Sequence, residues 1–145
     1  MSEQRKTWNV IVVGGGCAGL SAAIYLARAM RSVLVIDGGQ SLALWEPDVQ
    51  NYFGFPEGIS GEELIKRGKA HAKKYGATLV QDEISEAALD GKTFVLQGKE
   101  ETYRAKRVLL ATGVLHIPPD IPHVSECLGH SMFFLQRLRW LSQPG

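Results

Sequence analysis

The sequence predicts an α/β fold: a parallel sheet flanked by helices, with a small antiparallel β-meander inserted before the last buried strand. Three observations carry this prediction. Two short β-branched runs, Val10-Ile11-Val12-Val13 and Val33-Leu34-Val35-Ile36, are apolar at every position, as strands buried on both faces of a parallel sheet are. Between them, Leu20, Ala23, Ile24 and Ala27 recur at helical spacing among good helix formers. The junction of the first run with this helix is Gly14-Gly15-Gly16-Cys17-Ala18-Gly19, which contains G-x-G-x-x-G as Gly14, Gly16 and Gly19.

Strand, glycine turn, helix, strand and then Asp37 is the context that a dinucleotide-binding fingerprint requires. Gly14 permits a tight turn, Gly16 lets backbone approach a pyrophosphate, and Gly19 lets the helix pack close to the strand. The pyrophosphate would rest on unpaired N–H groups at the helix start, beside Cys17 and Ala18, where the helix dipole favours negative charge. Asp37 is placed to accept hydrogen bonds from a ribose hydroxyl pair. Cys17 at a helix start is expected to have a lowered pKa, although a small packing residue explains it more simply than a redox role.

Further along, Ser60 followed by Glu63 forms a capping box that starts a helix at Gly61. This helix should run to about Tyr75, bury Leu64, Ile65 and Ala72, and end at Gly76. The connection over 38–59 is too long for a plain linker and is expected to be functional. Its Leu44, Trp45, Tyr52, Phe53 and Phe55 could pack against an aromatic ligand. Thr78-Leu79-Val80, Thr93-Phe94-Val95-Leu96 and Thr102-Tyr103-Arg104 read as the strands of the meander, with turns at Asp90-Gly91 and Gly98-Lys99. Val108-Leu109-Leu110 then supplies the last buried strand.

Composition sets the outer bounds. The 145 residues are 45% hydrophobic and 21% charged, enough for one ordinary core and too apolar for disorder. A net charge of +1 without a basic stripe gives no footprint for nucleic acid or anionic lipid, and no apolar run is long enough to span a membrane. Two distant cysteines and a start lacking an apolar leader make the reducing cytoplasm the default location. His116, His123, Cys127 and His130 crowd together at no standard zinc spacing, so no metal is expected there.

The segment Asn51-Tyr52-Phe53-Gly54-Phe55-Pro56-Glu57-Gly58-Ile59-Ser60-Gly61-Glu62-Glu63-Leu64 closely resembles part of the thioredoxin reductase family of flavoproteins. Ala111-Thr112-Gly113 resembles that family's second FAD-domain motif, and Gly14–Gly19 with Asp37-Gly38-Gly39-Gln40 completes the set. The resemblance covers residues 8 to about 134. It implies a Rossmann-like FAD-binding domain over residues 1–115, followed by an irregular linker and tail over 116–145. It further implies that Ile84 touches the adenine, that Gln40 lies near the isoalloxazine, that Asn51 faces the flavin or ribityl region, and that Ala111 to Gly113 pass close to FAD.

Family members insert an NADPH domain carrying a second glycine fingerprint and a redox-active C-x-x-C, then return to complete the FAD site. None of these is visible here. On this resemblance the chain by itself does not run the family's path from NADPH through flavin to a disulfide. Leu135-Gln136-Arg137-Leu138-Arg139-Trp140-Leu141 can be written CTG CAG CGA CTG CGA TGG CTA; read one base later, the string gives Cys-Ser-Asp-Cys-Asp-Gly. A frameshift after Phe134, deliberate truncation and a natural short form therefore stand as alternatives. So do a non-catalytic nucleotide-binding module and the FAD half of a split oxidoreductase with a separate NADPH-binding chain. An uncovered sheet edge is expected to drive self-association, most simply as a homodimer. The tail's Leu135, Leu138, Trp140 and Leu141 are expected to be loosely held.

Overall fold

The computed structural model describes residues 6–114 and 120–127. The chain divides into two compact units, Met1–Val114 and Leu115–Gly145. His116, His130 and the tail beyond Phe134 lie outside the described residues. In the second unit, Val124–Cys127 forms a single helical turn, preceded by His123, whose Nδ1 lies 3.1 Å from Glu126 Oε1.

In chain order the first unit contains β1 (Thr7–Trp8), β2 (Val10–Val13), α1 (Cys17–Arg28), β3 (Val33–Asp37), a 3-10 turn (Leu42–Trp45), α2 (Gly61–Lys74), β4 (Thr78–Gln81), β5 (Ile84–Asp90), β6 (Thr93–Gly98), β7 (Thr102–Ala105) and β8 (Val108–Leu110). Two four-stranded sheets result. One is wholly parallel, in the order β4-β3-β2-β8; the other has the order β1-β7-β6-β5 and is antiparallel except where β1 joins β7.

The uninterrupted apolarity of β2 and β3 has a direct cause. Val10, Val12, Val33 and Val35 point to one face of the parallel sheet, where Leu20, Ala23 and Ala27 of α1 and Ile65 and Ala72 of α2 cover them. Ile11, Leu34 and Ile36 point to the other face and pack on Leu96 and Ala105 of the second sheet. Because neighbouring residues on a strand face opposite ways, each residue of the pair of strands meets a covering layer. Among the described residues the helices thus occupy one face, and the antiparallel sheet covers the other.

The chain crosses between the sheets at Asn9. Its amide donates to Ser32 Oγ at 2.9 Å, and its Oδ1 accepts from the Ser32 amide at 2.9 Å, which pins the crossing to the start of β3. Ser60 caps α2 as expected, with Oγ accepting from the Glu63 amide at 3.2 Å. The Glu63 carboxylate does not reach back to complete the box, since it is held by Lys66 at 3.3 Å and Arg67 at 2.9 Å. Gly76, at φ +91°, follows the end of the helix.

The structure changes two readings of the sequence. Thr78–Gln81 belongs to the parallel sheet, in register with Leu34–Asp37, and not to the meander. Ile84–Asp90 is a strand that the sequence reading passed over, paired to β6 across the Asp90-Gly91 turn. The connection over 38–59, too long for a plain linker, holds the 3-10 turn and a bridge between Val49 and Ile59.

Candidate functional site

The turn after β2 is built by close backbone approach. Gly14 has φ +112°, and a Cβ there would overlap the carbonyl oxygen of Ala111, so the first glycine lets the turn lie against the end of β8. A Cβ on Gly19 would overlap the carbonyl oxygen of Gly14, and none could be accommodated without moving α1 off the strand. Gly16 differs, since a Cβ there would meet only Ser41, with Oγ at 3.2 Å. Gly16 is also the residue that precedes α1, and no side chain caps the helix or places an acid in its first turn. The leading N–H groups of α1 therefore have neither a helical partner nor a side-chain anion.

This helix start opens on a cavity of about 510 Å³, within the range of small-molecule sites. The cavity runs along the carboxyl ends of the parallel strands, where α/β sheets bind their ligands. Of the residues singled out by sequence, Gly14, Gly16, Cys17, Ala18, Gly38, Gln40, Ile84, Ala111, Thr112 and Gly113 line it. Gly19 lies beneath, packed on Gly14, and Asp37 is buried against the turn.

Asn51 does not line the cavity. It sits in a largely exposed stretch whose ends are tied by the Val49–Ile59 bridge, while the earlier part of the same connection, from Gly38 to Ala43, lies on the cavity. The aromatic residues of the same connection do not line it either, and Phe53 is 99% exposed. Phe55 instead lies under the Arg67 guanidinium, 5.7 Å from the ring centroid. Gly15, Ser41, Leu42, Ala43, Asp82 and Glu83 belong to the lining and were missed. Of these, Gly15 was within the fingerprint and offered a signal; the others carry no recognisable spacing.

Two buried carboxylates give the site its electrostatics. Asp37 accepts from the Gly39 amide at 2.9 Å on Oδ1 and from Lys69 Nζ at 2.7 Å on Oδ2. Burial pushes its pKa up, but the Lys69 ammonium and the N–H groups of Gly39 and Gly15 outweigh this and hold it below the usual carboxylate range. Asp82 accepts from the amides of Glu83 at 2.7 Å and Lys99 at 2.9 Å and from the Tyr103 hydroxyl at 2.9 Å. It thereby ties the start of β5 to the β6–β7 turn, next to Ile84. Burial opposes ionisation of Asp82 too, yet its donors keep the pKa low. Burial and the same carboxylate push the Tyr103 phenol up to about 12.

Cys17 departs from expectation. Partial burial raises its pKa, and its backbone hydrogen bond offsets this only in part, so position at the helix start does not make it a ready thiolate. Among the described residues no group of histidines, cysteines and acids is arranged to hold a metal, and no helix is long and apolar enough to cross a membrane.

The pyridine nucleotide-disulphide oxidoreductase family model matches residues 8–142. A thioredoxin reductase of Bacillus subtilis strain 168 is 39% identical over 139 residues, covering 92% of this chain and 42% of its own length. The crystal structure of HlmI superposes with a TM-score of 0.83 at 29% identity, over 89% of this chain and 42% of that one. The atypical thioredoxin reductase TRi from Desulfovibrio vulgaris Hildenborough gives 0.72 at 38% identity, over 83% and 40%. The chain thus spans about two fifths of the length of these relatives. With its fingerprint turn, its acid at the end of β3 and its Ala111-Thr112-Gly113 wall, this chain belongs to the pyridine nucleotide-disulphide oxidoreductase family.

Proposed function

We propose that the chain binds FAD, with residues 1–115 as the cofactor-binding domain and 116–145 as linker and tail. The observation that carries this reading is the uncapped start of α1 facing a cavity that also contains Ile84 and Ala111 to Gly113. The cradle suits a dinucleotide on chemical grounds. Gly16 leaves room for an anion to reach the first amides of α1, including those of Cys17 and Ala18. Asp37 offers an ionised acceptor for a ribose, and the Asp82 network fixes Ile84 at the adenine end. Gly38, Gln40 and Thr112 then lead toward the flavin half, with Asn51 outside the cavity and beyond it.

Bound FAD supplies a two-electron carrier of the kind that passes reducing equivalents from a pyridine nucleotide to a disulfide. The described residues bind and orient the cofactor. One observation favours a partner. β8 pairs only with β2 among the described residues, and Leu110 at its end is 74% exposed. A second copy would cover this edge as a homodimer, and a separate NADPH-binding chain is the alternative occupant. The two free cysteines fit a reducing, cytoplasmic setting.

The test is the visible absorbance spectrum of the purified protein, with released cofactor identified by chromatography. A flavin spectrum and released FAD support the reading. A colourless protein that takes up no added FAD refutes it.

A further inference from the structure

Lys69 is set apart from the other cations of its helix. Lys66 and Arg67 are 76% and 60% exposed and pair with Glu63 on the solvent side. Lys69 turns toward the sheet and places Nζ 2.7 Å from Asp37 Oδ2. Its backbone cannot drift, because Leu64, Ile65 and Ala72 anchor α2 in the core on both sides of it. The Asp37 carboxylate is thereby gripped on both oxygens, by the Gly39 N–H on Oδ1 and by Lys69 on Oδ2. The Gly15 backbone closes a further side, since a Cβ there would overlap the carboxyl carbon.

We propose that Lys69 is a positioning residue for the adenosine ribose of the cofactor, holding the Asp37 carboxylate against Gly15 and Gly39 in the orientation that accepts a ribose hydroxyl. The inference rests on the FAD reading above. A carboxylate has about four lone-pair directions, so two donors, one on each oxygen, leave directions open for the ligand and remove the freedom to turn away from it. Lys69 also keeps the acceptor charged. Among the described residues it is the ionisable group acting on Asp37; the other donors that face it are backbone amides. A charged acceptor binds a hydroxyl more strongly than a protonated carboxyl does.

FAD affinity is measured by flavin fluorescence and calorimetry across pH 4.5–8 for the native protein, Lys69→Met, Lys69→Arg, Asp37→Asn and the Lys69→Met/Asp37→Asn double variant. Lys69→Met is expected to weaken FAD about tenfold at pH 7. Its affinity should also fall at a higher pH than that of the native protein on acidification. Lys69→Arg should return affinity to within about threefold of native, which a purely structural role does not require. In the Asp37→Asn background, Lys69→Met should cause no further loss, because Lys69 acts through that carboxylate. If Lys69→Met fails to fold, the Lys69→Arg affinity and pH profile still test the grip. Native affinity and an unmoved pH profile in Lys69→Met overturn the role of Lys69 alone. Independent losses in the double variant do the same. A native protein that takes up no FAD overturns both readings.

Discussion

Two glycines of one turn, three residues apart, should fail in different ways when replaced by alanine. Gly19→Ala puts a methyl group onto the Gly14 carbonyl oxygen, with Val12 Cγ1 at 3.2 Å closing the other side. Overpacking of this kind costs about 1–3 kcal/mol, and the better helix propensity of alanine returns at most about 1. The net destabilisation is about 1–2 kcal/mol, a fall in Tm of about 3–8 °C for a chain of this size. Gly16→Ala meets no such obstacle. Gly16 has φ −79° and ψ −172°, which alanine adopts, and its Cβ would stand toward Ser41 on the cavity wall. Stability should change by less than about 1 kcal/mol. The methyl group would instead hold an anion off the first amides of α1. Loss of one or two charge-assisted hydrogen bonds at about 1.5 kcal/mol each weakens FAD between about tenfold and hundredfold. Thermal denaturation followed by circular dichroism and FAD titration by flavin fluorescence separate the two effects. Native FAD affinity in Gly16→Ala, or a Gly19→Ala protein more stable than native, would refute the assignment of the turn.

Asp82→Asn should lower Tm at neutral pH. The folded carboxylate has a lowered pKa, so its stabilisation is complete above the ordinary Asp value of 3.8 and disappears as pH falls through the folded value. The native and variant Tm curves should therefore converge in strong acid, and parallel curves would count against the network. Tyr103 should ionise at about 12 in an ultraviolet alkaline titration, and Tyr103→Phe should delete that step. In a Cys127→Ser background, iodoacetamide should modify Cys17 slowly at pH 7, faster as pH rises, and more slowly with FAD present. An FAD-insensitive rate would place the cofactor elsewhere. Light scattering should find dimers that Leu110→Lys dissociates; a native monomer at high concentration would exclude pairing through β8.

The segment from Val10 to Asp37 was legible because several signals agreed over a short stretch: apolar runs, helical spacing, three glycines and a closing acid. The helix after Ser60 was legible through its cap and Gly76. Strand partners were not. Thr78-Leu79-Val80 looks the same whether it extends the parallel sheet or the meander, and only Leu34–Asp37 beside it decides. Ile84–Asp90 is rich in helix formers and mostly exposed, so neither period marks it; pairing with β6 makes it a strand. Asp82 and Lys69 were invisible for a related reason. Each is one of many acids or lysines, and its meaning comes from what the fold brings to it, five donors of the β5–β7 region in one case and a buried carboxylate in the other.

The pairing of β2 with β8 joins residues near 11 to residues near 109, and Gly14 is fitted to the Ala111 carbonyl at the far end of that pairing. Contacts so distant along the chain form late, since loop closure must precede them. The fingerprint is synthesised before Val108 to Gly113, and that wall of its cavity arrives almost a hundred residues afterwards. During synthesis, the glycine turn is therefore present long before it has a counterpart, and a nascent chain that has not yet exposed Val108 to Gly113 holds no complete pocket. On the FAD reading, flavin uptake follows the arrival of that wall and would time the closing of this pocket.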